Sequence, residues 1–366
     1  MFYTWGETVL KDKYDPGFGK VIDWDIPLLD GYDYTFVQNV SSRPGSNHFN
    51  GIDNPSLIKE IECWSPDALL VFGWSFKSHL KLMRHFKGKK EIFFRGDSNL
   101  LDETYQNTFK TIVRRFFLRF VYQSVDKALY VGTHNKNYYS THGLRDHQLV
   151  FAPHAIDNQR FSNGINAVTR LQIGIPSSAF VFLFAGKFEI KKNPHLLLSA
   201  FLQIANTNCH LLLVGSGPLE LALKSKVESL PLSVRKRIHF LPFQNQTLIP
   251  DIYQLCDVFV LPSQGPGETW GLSINEAMAC AKPVLVSDQC GAAVDLVKKG
   301  KNGYIFKSND GYDLLNKMEV LLANHDHIAE MGRHSYQMIQ PWNFDNICTS
   351  IEQLFAFHKT DKKARK

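Results

Sequence analysis

The most informative segment of the chain reads Leu261-Pro-Ser-Gln-Gly-Pro-Gly-Glu268-Thr-Trp-Gly-Leu-Ser-Ile-Asn-Glu276-Ala-Met-Ala-Cys280. Its pattern predicts a buried strand that ends at Leu261, a glycine-rich loop, and a helix from about Gly271. Backbone N–H groups and the dipole at such a helix start favour a phosphate. Carboxylates accept hydrogen bonds from hydroxyl groups, so Glu268 and Glu276 suit a sugar beside that phosphate. From spacing alone, two solvated helix charges explain the glutamates equally well.

Short, almost continuously apolar runs recur along both halves of the chain, each followed by a turn signal and a helical pattern. Such runs are typical of parallel strands that are buried on both faces. The alternation predicts two doubly wound α/β domains, which a length of 366 residues allows. The expected strands are Tyr34–Val40, Ala68–Phe72, Glu91–Phe94, Lys127–Val131, Leu149–Ala152, Phe180–Ala185, His210–Val214, Arg237–Leu241, Asp257–Leu261, Pro283–Ser287 and Gly303–Phe306.

A stretch with turn residues and little periodicity, 152–176, predicts the boundary between the domains. We expect an N-terminal domain over 1–152, a C-terminal domain over 153–357, and a solvated basic tail over 358–366. The six cysteines show no C-x-x-C pair or zinc-finger spacing, which favours reduced thiols in a cytoplasmic protein. No apolar run is long enough for a membrane-spanning helix.

Two further glycine-containing turns follow predicted strands. Gly186 and Lys187 come directly after one strand and Lys192 follows shortly after, so the lysines would neutralise a diphosphate, although a solvated lysine pair is the simpler interpretation. The second turn begins with Gly215 and Gly217 but lacks the third glycine of the dinucleotide fingerprint. This argues against a nicotinamide-dependent dehydrogenase, and leaves open a turn beneath a nucleotide or a plain strand–helix connection.

Taken in order, these motifs make residues 150–357 resemble the nucleotide-sugar domain of GT-B-fold glycosyltransferases, specifically the retaining family 4. That family's fold implies two doubly wound, Rossmann-like domains facing a cleft. The matching features are an E-x7-E signature at Glu268 and Glu276 with Gly271 inside it, a diphosphate clamp at Gly186, Lys187 and Lys192, a Gly-x-Gly-Pro turn at Gly215–Pro218, the run Ala277–Val284, and the run Gly300–Phe306. Lysine replaces the usual arginine at Lys187, and Ala281 stands where the family usually has glycine.

The resemblance implies a role for each matched residue. Glu276 would bind the ribose hydroxyls of the nucleotide, and Glu268 the hydroxyls of the transferred sugar. Lys187 and Lys192 would stabilise the departing diphosphate, with no metal ion and no cofactor beyond the nucleotide-diphosphate sugar itself. The remaining donor-binding candidates are the backbone at Gly186, Gly215, Gly217, Gly271 and Leu272, and Phe243 beside the base.

The first half of the chain resembles the family less closely. The family often places a histidine on a loop after a central strand, and here that loop carries Arg95 and Asp97 without a histidine. These two residues and His134 are therefore the acceptor-side candidates. Met1–Trp5 resembles the second strand of such a domain, so we expect that the first strand–loop–helix unit is missing from this sequence.

The net charge of +6 is unevenly distributed. Residues 71–150 carry 14 basic and 6 acidic groups, whereas residues 1–70 carry 5 and 11. This pattern does not indicate a nucleic-acid-binding protein. A basic amphipathic helix over Phe109–Gln123, together with Lys77–Lys90, would dock on anionic lipid or on a lipid-diphosphate acceptor; alternatively, its apolar side packs in the core.

The sequence thus predicts a retaining, metal-independent glycosyltransferase that acts on a hydroxyl of a glycan or lipid-linked acceptor in cell-surface polysaccharide biosynthesis. The expected location is the cytoplasm, at the inner face of the membrane if the basic helix binds lipid. Two alternatives stay open at this point: a nucleotide-sugar 2-epimerase on the same fold, and an inactive nucleotide-sugar-binding partner protein.

Overall fold

A computed structural model describes residues 1–7, 13–103, 108–164 and 167–364, with the side chains of residues 13 and 356–364 left out. The chain forms two compact units. The first comprises Met1–Tyr14 and Val21–Ala152, and the second comprises Asp15–Lys20 and Pro153–Lys366. A short segment near the start of the sequence therefore belongs to the second unit.

The first unit contains a parallel sheet of four strands in the order β5-β6-β7-β8 and two separate two-stranded sheets, β1-β4 and β2-β3. Its strands are β1 (Phe2–Tyr3), β2 (Lys13–Asp15), β3 (Lys20–Ile22), β4 (Thr35–Phe36), β5 (Ala68–Phe72), β6 (Glu91–Arg95), β7 (Lys127–Tyr130) and β8 (Leu149–Phe151), except that Asp15 of β2 and Lys20 of β3 belong to the second unit. Its helices are α1 (Leu57–Trp64), α2 (Lys77–Phe86), α3 (Phe109–Tyr122) and α4 (Thr133–Thr141).

The core of the first unit lies around β6, whose residues Ile92 and Phe94 are fully buried. Met83 of α2 and Tyr139 of α4 pack into the same cluster. Helices α2, α3 and α4 lie between successive parallel strands in the sequence, as strand–helix alternation requires. The four strands predicted from Ala68 onward in this half are confirmed.

The second unit contains six parallel strands in the order β11-β10-β9-β12-β13-β14. They are β9 (Phe180–Ala185), β10 (Cys209–Val214), β11 (Ile238–Leu241), β12 (Val258–Leu261), β13 (Val284–Ser287) and β14 (Gly303–Phe306). The helices are α5 (Asn158–Ser162), α6 (Pro194–Phe201), α7 (Glu220–Glu228), α8 (Leu232–Arg235), α9 (Ile249–Gln254), α10 (Leu272–Ala279), α11 (Ala293–Leu296), α12 (Gly311–Ala323), α13 (Ile328–Ile339) and α14 (Phe344–Ala364).

This strand order fixes where a ligand binds. Counted within the second unit, the order is 3-2-1-4-5-6, so the direction of strand addition reverses between β9 and β12. Ligands of doubly wound sheets bind outside the carboxyl ends of the strands at that reversal. The loops that follow β9 and β12 are therefore the first place to look for chemistry. The predicted α/β class with doubly wound parallel sheets is confirmed.

Two predicted elements differ from the structure. The strand expected over Tyr34–Val40 is reduced to β4, because the chain beyond it enters a loop in which the Asn39 side chain bonds the carbonyls of Trp5 and Gly51. The sequence predicts a solvated tail over 358–366. Instead α14 continues to Ala364, since lysine and alanine are good helix formers.

Within the described ranges, no helix has the length and apolar character needed to cross a membrane.

Candidate functional site

The loops after β9 and β12 are fastened to each other. The backbone N–H of Gln264 donates to the carbonyl of Lys191 at 2.8 Å, and the Gln264 side chain donates to the carbonyl of Ile190 at 2.8 Å. Asn193, the N-cap of α6, adds a bond to the Gln264 side chain at 3.3 Å. These bonds hold the lysine-bearing turn and the glutamate-bearing loop in one fixed arrangement.

Lys192 and Glu268 face each other across this junction. Nζ of Lys192 lies 2.6 Å from Oε2 of Glu268, and the hydroxyl of Ser263 donates to the same oxygen at 2.9 Å. Ser263 is fully buried, and the backbone carbonyl of Glu268 accepts from Gly291 at 3.1 Å. A buried carboxylate held on several sides is a rigid acceptor for hydroxyl hydrogens.

Glu276 lies on α10, and its carboxylate is held from the opposite side by α9. The hydroxyl of Tyr253 donates to Oε2 of Glu276 at 2.6 Å. Burial raises the pKa of Glu276 above its ordinary value, while the Tyr253 hydrogen bond and the positive charges of Arg160 and Lys192 act in the opposite direction. Two cations therefore stand close enough to influence this carboxylate.

The start of α10 is formed by Gly271, which has a φ of +96° as N-cap. A Cβ atom there would lie 3.1 Å from Cδ2 of Leu261 and 3.7 Å from Oε1 of Glu268, so the backbone approaches the carboxylate closely. Further along the helix, Asn275 is fully buried; its amide donates to the carbonyl of His154 at 2.8 Å and its oxygen accepts from Trp270. Leu272 begins the helix and is exposed.

Lys187, directly after β9, is held by a carboxylate from the segment near the start of the sequence. Its Nζ lies 2.9 Å from Oδ2 of Asp15. Gly186 has its N–H bonded to the carbonyl of Val214 at 2.9 Å, which aligns this turn with the one after β10. The two candidate clamp lysines thus follow the same strand, and each has a carboxylate partner.

The turn after β10 and the loop after β11 complete this edge of the sheet. Gly215 donates its N–H to the carbonyl of Leu241 at 3.0 Å, and Ser216 accepts from Phe188 at 2.8 Å. Phe243, beyond β11, is half-buried and lies edge-on to Phe18, with the ring centroids 4.7 Å apart. The edge therefore presents, from one side to the other, an aromatic ring, a glycine turn, two lysines and two glutamates.

This arrangement matches a nucleotide-diphosphate sugar in its chemistry. Cations stabilise a diphosphate, carboxylates accept from hydroxyl groups, and an aromatic ring contacts a base. Among the described residues, no cluster of histidine, cysteine, aspartate and glutamate has the geometry of a metal site.

The acceptor-side candidates lie at the carboxyl edge of the first unit's sheet. Arg95 ends β6 and donates from Nη1 to the carbonyl of Ala152 at 3.0 Å, and burial lowers the pKa of its guanidinium. Asp97 acts on Arg95 as a nearby negative charge. His134 lies in the first turn of α4, after β7. The structure places the three residues after two adjacent strands.

Sequence reasoning missed the residues that hold the candidate groups. Tyr253 and Ser263 fasten the two glutamates, and Asp15 holds Lys187. Tyr253 has no local signal, since a tyrosine among apolar helix residues is typical of a core. Asp15 had one: the turn Asp-Pro-Gly-Phe-Gly is a strong turn signal with a charged residue at its start.

Residues 167–338 match the family model of the glycosyl transferases group 1. Among curated relatives, the D-inositol 3-phosphate glycosyltransferase of Gordonia bronchialis is 27% identical over 201 residues, which cover 52% of this chain and 43% of the relative. That of Saccharomonospora viridis is 30% identical over 209 residues, covering 55% and 48%. The chain spans less than half the length of these relatives.

Solved structures resemble the fold over most of the chain. Anabaena Alr3699/HepE in complex with UDP superposes with a TM-score of 0.68 at 17% identity, covering 88% of this chain and 85% of its own. Sucrose-phosphate synthase from Thermosynechococcus elongatus gives a TM-score of 0.67 at 18% identity, covering 84% and 78%. These likenesses confirm the predicted GT-B fold with its two Rossmann-like domains. Family 4 membership and retention of configuration stay predictions.

Proposed function

We propose that this protein is a retaining, metal-independent glycosyltransferase of family 4. It would move a sugar from a nucleotide-diphosphate sugar to a hydroxyl of a glycan or lipid-linked acceptor. The observation that carries the proposal is that Lys187 and Lys192 follow β9, and Glu268 and Glu276 follow β12, at the switch point of the sheet, with Lys192 paired to Glu268. The group 1 family match and the UDP complex of a structural neighbour support a nucleotide-sugar donor.

In this proposal the two lysines lower the activation barrier of sugar transfer. Negative charge builds on the diphosphate as the bond to the sugar breaks, and fixed cations that face this charge stabilise the transition state. Lys187 and Lys192 follow one strand and are only partly exposed, at 32% and 16%. They supply the positive charge that a magnesium ion supplies in other transferases.

The two glutamates orient the donor. Glu276 would accept hydrogen bonds from the ribose hydroxyls, and Glu268 from hydroxyls of the transferred sugar. The first-turn N–H groups of α10, after Gly271, would face the phosphates. Phe243 would lie against the base, and the glycine turn of Gly215 and Gly217 would let the backbone approach the nucleotide.

On the first unit, Arg95, Asp97 and His134 are proposed to contact the acceptor. A glycan or lipid-linked acceptor fits a role in cell-surface polysaccharide biosynthesis at the cytoplasmic face of a membrane. Support comes from α3, where the predicted apolar side is not packed in the core. Six large apolar side chains of this helix are exposed: Phe109, Ile112, Val113, Phe116, Phe117 and Phe120. We call these six the apolar face of α3.

Basic groups accompany the apolar face of α3. Lys110, Arg114 and Arg119 are exposed on the same helix, and the guanidinium of Arg84 lies 4.7 Å from the centre of the Phe120 ring. Exposed aromatic residues flanked by lysine and arginine are typical of helices that lie on anionic lipid. The helix is anchored by Leu118 and Val121, which are fully buried, so the apolar face is held outward.

Donor binding is tested first. Thermal-shift measurements with UDP-, GDP- and ADP-sugars should show stabilisation by one of them. Glu276→Gln should weaken binding of that donor about tenfold or more, since a charged hydrogen bond is lost. Lys187→Ala should reduce transfer more than binding. The matched controls are Glu319→Gln and Lys299→Ala, both at exposed positions of the same unit. If both site variants bind and transfer like the controls, the site assignment is wrong.

Lipid binding is tested separately. The protein should sediment with phosphatidylcholine vesicles that contain phosphatidylglycerol, less so with phosphatidylcholine alone, and less at high salt. Phe116→Ser with Phe120→Ser should abolish the sedimentation. Leu221→Ser is the control, because Leu221 is 80% exposed on α7 of the second unit. Equal sedimentation of the double variant and the control would contradict the lipid surface.

A further inference from the structure

The segment Asp15–Lys20, which we call the strap, is the tip of the β2–β3 hairpin and belongs to the second unit. Its turn is closed by Asp15, whose Oδ1 accepts from the N–H groups of Gly17 at 2.8 Å and Phe18 at 3.1 Å. The N–H of Gly19 donates to the carbonyl of Asp15 at 2.8 Å. One carboxylate oxygen therefore shapes the turn, and the other is left for a partner outside it.

That partner is Lys187. Oδ2 of Asp15 lies 2.9 Å from Nζ of Lys187. Although burial alone would raise the pKa of Asp15, the Lys187 ammonium and the two turn N–H groups hold it below its ordinary value. The carboxylate is consequently ionised at neutral pH, and the strap presents an anion to a lysine proposed to face the donor diphosphate.

The strap also covers the glycine turn and the aromatic ring of the site. The hydroxyl of Ser216 donates to the carbonyl of Phe18 at 2.9 Å, and the Phe18 ring lies 4.7 Å from that of Phe243. Nζ of Lys20, also in the strap, lies 4.1 Å from the centre of the Phe243 ring. The strap thus makes an anionic, a hydrogen-bonding and an aromatic contact in the order in which a nucleotide diphosphate would make them.

The strap packs so closely against Lys187 and the glycine turn that no ligand group fits between them. A Cβ atom on Gly217 would lie 2.6 Å from the carbonyl oxygen of Gly17, and a Cβ atom on Gly17 would lie 2.5 Å from Cδ of Lys187. These approaches mean that the strap backbone rests directly on the glycine turn and on the lysine stem. A phosphate or a base cannot lie between them while the strap is in place.

We propose that the strap is an intramolecular competitor of the donor nucleotide: Asp15 occupies the place of a phosphate on Lys187, and Phe18 that of the base beside Phe243. This rests on the proposed function, because the site must be the donor site. Glu268 and Glu276 bond other groups: Lys192, Ser263 and Tyr253. Competition is therefore confined to the diphosphate and base portions of the donor.

The strength of the competition follows from the ion pair. A competitor that occupies the site for most of the time raises the apparent dissociation constant of the ligand by the reciprocal of the open fraction. Asp15 and Lys187 are 27% and 32% exposed, so their pair is of the partly solvated kind. Removing the charge of Asp15 should lower the dissociation constant of the nucleotide by about two- to fivefold.

The test uses UDP, GDP and ADP as probes, with isothermal titration of the whole chain and of Asp15→Asn. Asparagine keeps the oxygen that accepts from Gly17 and Phe18, so the turn is retained while the charge on Lys187 is lost. The control is Asp30→Asn, at an exposed aspartate of the first unit. In the wild-type protein, hydrogen exchange of peptides covering 13–22 should become faster when the bound nucleotide saturates the site.

The outcomes of these two measurements separate competition from the alternatives. Tighter nucleotide binding by Asp15→Asn together with faster exchange of the strap supports competition. Weaker binding by Asp15→Asn, or slower exchange on nucleotide addition, would make the strap a part of the binding site and overturn competition. Unchanged binding and unchanged exchange overturn the strap proposal but leave the donor site intact. Failure of all three nucleotides to bind any variant overturns both the strap proposal and the proposed function.

Discussion

Nζ of Lys192 lies 2.6 Å from Oε2 of Glu268, and the two side chains are only 16% and 7% exposed. The pair joins the loop after β9 to the loop after β12. These two strands are neighbours at the switch point of the sheet. The ion pair therefore holds the two loops in a fixed arrangement. It also places a cation and an anion where little water reaches them.

Removal of the cation tests the structural consequence. In Lys192→Met, the carboxylate of Glu268 stays buried and keeps the Ser263 hydroxyl as partner but loses its cation, so the free energy of unfolding should fall by about 3 kcal/mol. Urea unfolding measures the change, and Lys299→Met, at an exposed lysine, is the control. Adding Glu268→Gln to Lys192→Met should restore part of the loss, because the uncompensated charge is then gone. A Lys192→Met protein as stable as the control would contradict the burial of the pair.

The hydrogen bond between Tyr253 and Glu276 leads to a prediction about the pH dependence of nucleotide binding. Burial raises the pKa of Glu276, and the Tyr253 hydroxyl opposes that rise. In Tyr253→Phe the pKa of Glu276 should rise further, so Glu276 gains its proton at a higher pH and loses acceptor strength. As the pH is lowered, the nucleotide affinity of Tyr253→Phe should therefore begin to fall at a higher pH than that of the wild type.

Isothermal titration at several pH values measures this difference. Tyr312→Phe is the matched control, because Tyr312 is 78% exposed on α12. Parallel pH profiles for Tyr253→Phe and Tyr312→Phe would show that the Tyr253 hydroxyl does not tune Glu276.

A histidine pair on the sheet of the second unit predicts that the stability of the fold decreases at acid pH. Nδ1 of His210 on β10 lies 2.9 Å from Nε2 of His239 on β11, with the rings stacked. Burial, with a contribution from His210, lowers the pKa of His239 from 6.5 to about 4. Burial also lowers the pKa of His210, with the positive charges of Arg237 and Arg170 acting in the same direction.

The lowered pKa values of the two histidines decide how stability changes with pH. Both histidines prefer to be neutral in the folded state, so between pH 6.5 and about 4 the unfolded chain binds more protons than the folded one. Their contribution to stability is complete above pH 6.5 and is lost as the pH falls toward 4. The melting temperature should drop by a few degrees over this range, and less in His239→Gln. Equal slopes for the two proteins would contradict the assignment to this pair.

The sequence predicted the strands from Ala68 onward and the start of α10, because each depends on local pattern. Gly271 before α10 and Lys187 after β9 are examples, since a buried apolar run followed by a turn signal fixes both. It could not predict the partners. Tyr253 reaches Glu276 only because α9 packs against α10, and no spacing in the sequence encodes that contact.

The contact between the strap and Lys187 is a second feature that the sequence could not predict. Asp15 and Lys187 are 172 positions apart, and their contact brings a segment from the start of the sequence into the second unit. The turn signal at Asp15 was visible in the sequence, but its destination depends on how the chain returns in space. The extent of α14 differs from the prediction for another reason: a charged run at a chain end indicates a solvated tail, but lysine also favours helix.

The start of α10 gives the last prediction. Gly271 has a φ of +96°, and a Cβ atom there would lie 3.1 Å from Cδ2 of Leu261 and 3.2 Å from Cδ1 of Ile274. Gly271→Ala therefore combines backbone strain with crowding, whereas Gly267→Ala has strain alone, since Gly267 has a φ of +92° and no atom within 4 Å of that position.

We expect Gly271→Ala to lose about 1–3 kcal/mol of stability and Gly267→Ala less. Because crowding at Gly271 would displace the first turn of α10 beside Glu268, nucleotide affinity should fall in Gly271→Ala by more than the loss in Gly267→Ala. Urea unfolding and isothermal titration measure the two effects. Equal losses in both variants would mean that backbone strain alone, and not the close packing of Gly271 against Leu261 and Ile274, controls this end of the helix.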